Sequence, residues 1–134
     1  MKQAFLGWLL CITLAACNGT GNYSKAENAF DAGREFIDGC LKGDFDKARF
    51  YMLRNDANNK QLDKLQADYN KKSSDEKEQY REASINILEE ETISDSVHII
   101  NYKNSFDNVA RKLKVTKTND GWLVDLPYTF SGNL

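Results

Sequence analysis

The sequence predicts an α+β fold, in which N-terminal helices pack on one face of a curved four-stranded antiparallel sheet. Apolar residues recur at helical spacing before Ala83 and at a spacing of two after it. Short polar loops separate the alternating segments, and short loops between successive strands indicate antiparallel hairpins. The chain has 134 residues, which is the size of about one domain.

The first helix is predicted over residues 25–42. Ser24 and Glu27 form a capping-box pattern at its start, and Gly43 is a typical stop at its end. Cys40 lies in the apolar stripe of this helix. A free cysteine there behaves as a small hydrophobic residue, so we expect it to pack in the core.

Asp44 is a suitable N-cap for a second, short helix over residues 45–53. Residues 54–82 then carry many charges of both signs and few apolar groups. This segment is predicted to form one or two surface helices, with a break at Ser73-Ser74-Asp75. We interpret its charges as a solvated face, with a docking surface as the alternative.

Four strands are predicted, over residues 84–91, 96–103, 109–118 and 122–130. Because a slip of one residue inverts every side chain, the last turn must have an even number of residues to bring Val115 and Trp122 onto one face. A two-residue turn at Asp120-Gly121 would set Val115 opposite Leu126. Trp122 is then expected to be buried under the first helix. Pro127 has no N–H, so the fourth strand should be an edge strand or lose its pairing there.

The charge balance argues against nucleic acid as a partner. Lys and Arg number 18 and Asp and Glu number 20, which gives a formal net charge of −2. A nucleic-acid-binding domain normally carries a basic surface. The sequence also contains no glycine-rich phosphate loop and no cluster with metal-ligand spacing, so we expect neither a cofactor nor a metal.

Residues 1–16 have the pattern of a signal peptide, a basic start followed by an apolar run that is too short to cross a membrane. The run ends in Leu14-Ala15-Ala16-Cys17, which resembles the bacterial lipobox. The resemblance implies cleavage between Ala16 and Cys17 and a diacylglyceryl group on the Cys17 sulfur. An ordinary secretory peptide, with Cys17 as an incidental thiol, is the alternative.

A lipobox implies a place in the bacterial cell envelope, with the membrane as a partner through the lipid. Residues 17–24 have the Gly, Asn and Ser composition of a flexible tether, and residues 25–134 are predicted to form the domain. Asn18, in place of an aspartate after the cysteine, implies by resemblance the outer membrane, with the domain facing the periplasm.

Two segments carry a family resemblance. Residues 36–48, which read Phe-Ile-Asp-Gly-Cys-Leu-Lys-Gly-Asp-Phe-Asp-Lys-Ala, resemble the start of the nuclear transport factor 2-like, cystatin-like superfamily. Residues 119–125, in which a turn glycine precedes Trp122, resemble its last hairpin. Over residues 25–130 the chain is similar to a family of small bacterial lipoprotein domains of unknown function. The resemblance implies a cone-shaped fold that encloses a pocket and often forms a dimer.

The candidate pocket residues are Arg111, Glu89 and Tyr128. Arg111 shares a face of the third strand with apolar residues, Glu89 continues the alternation of the first strand, and Tyr128 lies on the inward face of the fourth. For Arg111 and Glu89 the alternative is a place at the rim, where long side chains reach water.

The candidate interface residues are His98, Ile100, Tyr102 and Leu123, all assigned to the outward face of the sheet. Exposed together, they would form an apolar patch, and such patches mark association sites. A homodimer through this patch is the simplest expectation.

Three functions remain open. A noncatalytic domain that binds a small hydrophobic ligand or an envelope protein is favoured, because we identify no acid and base pair around His98. The second is a small enzyme that uses Arg111 and Glu89 on a hydrophobic substrate. The third is a purely structural envelope component.

Overall fold

The structure is a computed structural model that describes residues 21–130. The predicted signal peptide, Cys17 and residues 131–134 lie outside the described residues. Within residues 21–130, four helices precede four strands, which confirms the expected α+β class. The elements are α1 (Ala29–Lys42), α2 (Phe45–Phe50), α3 (Asp56–Asn70), α4 (Ser74–Glu82), β1 (Ile85–Ser94), β2 (Val97–Asn104), β3 (Arg111–Thr118), β4 (Gly121–Asp125) and a 3₁₀ helix (Leu126–Phe130).

Helix α1 begins later than predicted, because Asn28 and not Ser24 is its N-cap. Asn28 is extended, with φ of −147°, and its side-chain oxygen accepts a hydrogen bond of 2.8 Å from the N–H of Asp31. Asparagine caps a helix as well as serine does. The predicted end at Lys42 is confirmed. Gly43 has φ of 71°, the left-handed conformation that glycine adopts after a helix.

Two glycines bring α1 close to its neighbours. A Cβ on Gly33 would lie 2.6 Å from the Cδ1 atom of Ile100 on β2. A Cβ on Gly39 would lie 2.9 Å from the backbone nitrogen of Ala48 and from the carbonyl oxygen of Asp44. The backbone of α1 therefore packs directly on the sheet on one side and on α2 on another.

Helix α2 is shorter than predicted because the chain leaves it to run beside β4. The N–H of Val124 donates to the carbonyl oxygen of Tyr51 at 2.8 Å, and the N–H of Leu53 donates to that of Val124 at 2.9 Å. Met52 forms the parallel bridge with Val124 and is fully buried. This segment satisfies part of the free edge of β4.

Residues 54–82 form two helices, as predicted, and Ser73 caps the second by accepting a hydrogen bond from the N–H of Glu76 at 3.2 Å. Helix α3 is less superficial than expected. Leu62 is fully buried, and Asn58 is only 1% exposed. The side-chain oxygen of Asn58 accepts a hydrogen bond of 2.8 Å from the N–H of Leu126, which ties α3 to the 3₁₀ helix.

The sheet has the order β1-β2-β3-β4, and each neighbouring pair is antiparallel. It is not strongly curled, in contrast to the curved sheet that we expected. Its inward face packs against α1 and contributes fully buried side chains to the core, namely those of Ile100, Leu113, Val115 and Val124.

The β3–β4 turn has an even number of residues, as predicted, but the register differs by two. Thr118 pairs with Gly121, so the two-residue turn is Asn119-Asp120. Gly121 has φ of 101°, which favours glycine at this corner. Val115 pairs with Val124, which is two residues nearer the turn than the predicted partner.

Strand β4 is an edge strand and ends at Asp125, in agreement with the expectation from Pro127. The 3₁₀ helix replaces the predicted second half of the strand. Trp122 is only half-buried, not enclosed under α1 as predicted. Its ring packs edge-on against that of His98, with the ring centroids 5.1 Å apart.

Candidate functional site

A cavity of about 280 Å³ lies at the C-terminal end of α1. It is bounded by α1, α3 and α4 on one side and by the ends of β2 and β3 and the 3₁₀ helix on the other. Its walls are mostly apolar and aromatic, and they include Phe36, Ile37, Leu41, Phe45, Leu65 and Tyr69.

Helix spacing explains why the apolar wall forms. Phe36, Ile37 and Leu41 lie on the face of α1 that turns toward the sheet, and they are buried. Tyr69 reaches the same wall from α3. It packs edge-on against Phe45 at a centroid distance of 5.5 Å. Leu65 and Tyr69, which are four positions apart on α3, therefore form part of the cavity wall.

One end of the cavity is polar and holds an ion pair between Arg111 and Asp107. The Nη2 atom of Arg111 donates to Oδ2 of Asp107 at 2.7 Å, and Nη1 donates to Oδ1 at 3.1 Å. Nη1 also donates to the carbonyl oxygen of Val109 at 3.1 Å. The side-chain oxygen of Asn104 accepts hydrogen bonds from the N–H groups of Phe106 and Asp107, both at 3.0 Å. The β2–β3 loop is thus held closed around the ion pair.

The ion pair shifts the pKa values of both partners. Hydrogen bonds from Arg111 hold the pKa of the Asp107 carboxyl below its usual value, against the raising effect of burial. The same hydrogen bonds raise the pKa of Arg111. Both groups stay charged at neutral pH, and together they are electrically neutral.

Tyr102 contributes a second polar group to this end of the cavity. The residue is only 8% exposed and lines the cavity. Within residues 21–130, the Tyr102 hydroxyl forms no hydrogen bond. Every fully buried side-chain nitrogen or oxygen atom in this range has a hydrogen-bond partner, so this hydroxyl is not fully buried. The hydroxyl must therefore contact the open space of the cavity. Burial raises the pKa of Tyr102, so the hydroxyl stays protonated and can donate a hydrogen bond.

Cys40, which was expected to pack in the core, is partly buried against the core and also lines the cavity. Burial raises the pKa of its thiol to about 12. The thiolate is the nucleophilic form of cysteine, so a thiol that remains protonated at neutral pH is a poor nucleophile. Cys40 therefore acts as a small apolar wall residue.

Of the three candidate pocket residues, Arg111 lines the cavity and the other two do not. Glu89 is exposed and pairs with Asn101, because a bulge between Ile87 and Glu89 breaks the alternation of β1. Tyr128 lies half-buried in the 3₁₀ helix and takes part in other contacts. The two residues named for an enzyme, Arg111 and Glu89, do not meet.

The outward assignment of His98, Ile100 and Tyr102 was wrong. His98 pairs with Val115 across the sheet, and cross-strand partners share a face, so all three side chains turn inward with β3. Ile100 is fully buried. His98 is partly buried, and its Nδ1 atom lies 3.0 Å from Oε1 of Glu90.

Leu123 lies on the opposite face, since it pairs with Thr116, and it is only 7% exposed. The four candidate interface residues therefore do not form one exposed patch.

Several residues of this site were missed in the sequence. Asp107 and Asn104 looked like ordinary loop residues, although Asp107 and Arg111 are four positions apart and of opposite charge, which was a usable signal. Tyr69 and Leu65 were assigned to a surface helix. Nothing in the local sequence marks Tyr102 as a cavity residue, because its direction depends on the register with β3.

The described residues include neither a cluster that could bind a metal nor a helix that could span a membrane. Across residues 21–130 there is no group of three or more His, Cys, Asp or Glu side chains that could hold a metal ion. In the same range no helix has the length and apolar character needed to cross a bilayer. A scan against family models found no match, and searches of curated proteins and of solved structures found none either.

Proposed function

We propose that this chain is a lipid-anchored protein of the bacterial cell envelope whose domain binds a small, mostly apolar molecule without chemical change. The observation that carries the proposal is the cavity of about 280 Å³, with its apolar walls and its single polar end. Binding sites for small molecules combine such walls with a few polar groups that fix orientation.

The volume of the cavity supports a ligand. The cavity is partly open to solvent, so a ligand can enter it. An engineered apolar cavity of about 150 Å³ is large enough to bind benzene. A cavity of about 280 Å³ has room for one ring with a short substituent. A purely structural component would be expected to fill this space with its own side chains.

The polar end favours an uncharged ligand. The charges of Arg111 and Asp107 neutralise each other, and at least three hydrogen bonds from the guanidinium group are already used. The Tyr102 hydroxyl is the group that can donate a new hydrogen bond. The ligand we propose therefore has an apolar body and one neutral acceptor, such as a hydroxyl or carbonyl oxygen.

The anchor and the fold family belong to the same proposal. The lipobox-like Leu14-Ala15-Ala16-Cys17 supports lipidation of Cys17, and Asn18 supports the outer membrane with the domain in the periplasm. The order of helices before an antiparallel sheet, with a cavity between them, is consistent with a nuclear transport factor 2-like domain.

Binding of benzyl alcohol to the purified chain of residues 17–134 tests the proposal. Protein NMR spectra should show shifts confined to cavity residues, and benzoate, which has the same ring but a negative charge, should bind more weakly. Leu65→Trp fills the cavity and should abolish binding. Lys64→Trp, one position away on the exposed side of α3, is the matched control and should not.

A second variant tests the polar end. Tyr102→Phe should weaken benzyl alcohol about fivefold, the effect of roughly 1 kcal/mol for one hydrogen bond, and should leave toluene binding unchanged. If Leu65→Trp is folded by circular dichroism and binds benzyl alcohol as well as the wild type does, the cavity is excluded as the binding site.

A further inference from the structure

The end of the molecule opposite the cavity carries a cationic groove. This smaller groove, of about 90 Å³, lies between the segment before α1, the end of α2 and the β3–β4 turn. Lys25 and Arg54 line it together with Trp122. Lys117 adjoins it, with its Nζ atom 5.8 Å from the centre of the Trp122 ring. We call Lys25, Arg54, Lys117 and Trp122 the cationic face.

The positive charges of this face are available to an outside partner. In the part of the chain that the structure describes, Lys25, Arg54 and Lys117 take part in no ion pair. Asp120 is the carboxylate that also lines the groove, and Glu27 follows Lys25 closely in sequence. Three cations around one groove stand out in a chain with a net charge of −2.

Trp122 adds the side chain that is most typical of a membrane interface. Its indole ring is half-buried between His98 and Lys117. Indole rings concentrate at the level of lipid headgroups, because one edge is polar and the rest is apolar. A half-buried tryptophan with adjoining lysines suits a shallow contact with an anionic lipid surface.

The chain runs along α2 from Tyr23 and reaches this face at Lys25. Tyr23 is already packed, with its ring 5.5 Å from that of Phe50 and its hydroxyl donating to Asp44 at 3.0 Å. A Cβ on Gly121 would lie 3.9 Å from the Cβ of Lys25. Cys17 precedes Tyr23 by 6 positions. At about 3.5 Å per extended residue, the lipid is attached within about 20 Å of Tyr23.

We propose that the cationic face lies on the anionic headgroups of the bilayer that holds the Cys17 lipid, so that the cavity faces away from the membrane. The inference rests on the proposed lipidation of Cys17. A short tether keeps the face at high effective concentration near the surface, so weak contacts are enough to orient the domain. Helix α1, which is about 21 Å long, runs from this face toward the cavity.

Trp122 makes the proposal directly measurable, because it is the one tryptophan of residues 17–134. The purified chain of these residues carries Cys40→Ala, so that Cys17 is its one thiol, and it is coupled through Cys17 to a maleimide lipid in vesicles. The vesicles contain either phosphatidylcholine alone or phosphatidylcholine with phosphatidylglycerol. The readout is quenching of Trp122 fluorescence by a lipid with a spin label on its headgroup.

We expect quenching on the anionic vesicles to exceed that on neutral vesicles by at least about threefold, and added salt to remove the excess. Lys25→Glu with Lys117→Glu should bring the ratio close to one. Lys64→Glu with Lys71→Glu makes the same change in net charge at two exposed positions, one on α3 and one directly after it, and should leave the ratio unchanged. Equal quenching on both vesicles would overturn the proposal. So would a salt-resistant dimer of the uncoupled chain, seen by sedimentation, that Trp122→Glu dissociates.

Chemical coupling separates this test from the proposed function. If Cys17 is not lipidated in cells, the vesicle result still stands, but the domain has no lipid anchor to hold the cationic face at a bilayer in cells. Failure of benzyl alcohol binding concerns the cavity at the other end of α1 and does not alter Trp122 quenching.

Discussion

The guanidinium group of Arg111 holds the carboxylate of Asp107 through two hydrogen bonds, of 2.7 and 3.1 Å, across the β2–β3 loop. Asp107 lies in the loop and Arg111 is the first residue of β3, so the pair joins the closure of the loop to the polar end of the cavity. Asn108 between them has φ of 55°, a left-handed conformation that asparagine tolerates.

This pair makes stability depend on pH at the acid end. The pKa of Asp107 is lower in the folded state than in the unfolded state. Its contribution is therefore present above the unfolded value of about 4 and is lost as the pH falls through the folded value. We expect Asp107→Asn to lower the free energy of unfolding by about 1 kcal/mol at pH 7. Below about pH 4, the stability of the variant should fall less steeply than that of the wild type. Urea unfolding over a pH series measures both.

Asp63→Asn is the control for this prediction. Asp63 also pairs with an arginine, Arg49, at 3.0 Å, but its side chain is 66% exposed. Surface pairs of this kind contribute little to stability. If Asp63→Asn reduces the fall in stability at low pH as much as Asp107→Asn does, the role given to the Arg111–Asp107 pair is contradicted.

The two glycines of α1 should respond differently to alanine. Gly39→Ala places a Cβ 2.9 Å from backbone atoms of Ala48 and Asp44, which cannot move alone, and we expect a loss of about 2 to 3 kcal/mol. In Gly33→Ala the one close approach is to the end of the Ile100 side chain, while Leu113 and Val115 lie at ordinary contact distance. Its strain is offset by a gain in helix propensity of about 1 kcal/mol, so the net change should stay within about 1 kcal/mol. Chemical unfolding followed by circular dichroism compares them, and equal losses would refute the distinction.

The Cys40 thiol should resist alkylation in the folded chain. With a pKa of about 12 it is almost entirely protonated at pH 8, whereas the thiolate is the reactive form. Iodoacetamide should label Cys17 of an unlipidated chain within minutes and Cys40 only after urea is added. Mass spectrometry of tryptic peptides measures the two sites in one sample, so Cys17 is the internal control. Labelling of both at the same rate without urea would show an accessible, ionised Cys40.

Replacement of Cys17 should block maturation. The Cys17 sulfur is the proposed acceptor of the lipid, so Cys17→Ala should leave the precursor uncleaved and unlipidated in membrane fractionation. Cys11→Ala, a change inside the predicted signal peptide, is the matched control and should mature normally. A Cys17→Ala protein that still matures to a chain beginning at residue 17 would exclude the lipobox.

Local chemistry was enough to predict the ends of several elements. Gly43 ends α1, Asp44 caps α2 and Ser73 caps α4, because each of these roles depends on a residue and its immediate neighbours. The inward face of β3 was also readable, since Leu113 and Val115 alternate with polar residues. The even length of the last turn followed from that alternation.

The pairing between strands determined which face of β2 and β1 turns inward, because the alternation of apolar and polar residues did not. Both faces of β2 are rich in apolar residues, so its sequence does not say which one turns inward. The register of His98 with Val115 decides this. The bulge in β1 likewise moved Glu89 to the solvent, and a bulge depends on the fit to the partner strand.

The candidate site was therefore only partly readable from the sequence. The chain itself determined that Arg111 lies on the cavity side of β3 and that Cys40 belongs to the apolar stripe of α1. Only the tertiary structure placed Tyr69 around the same space as Tyr102 and Asp107, because Tyr69 comes from a helix far away in the chain and the direction of Tyr102 depends on its pairing with β3. A cavity is the volume that packed elements leave between them, and no local pattern of residues records that volume.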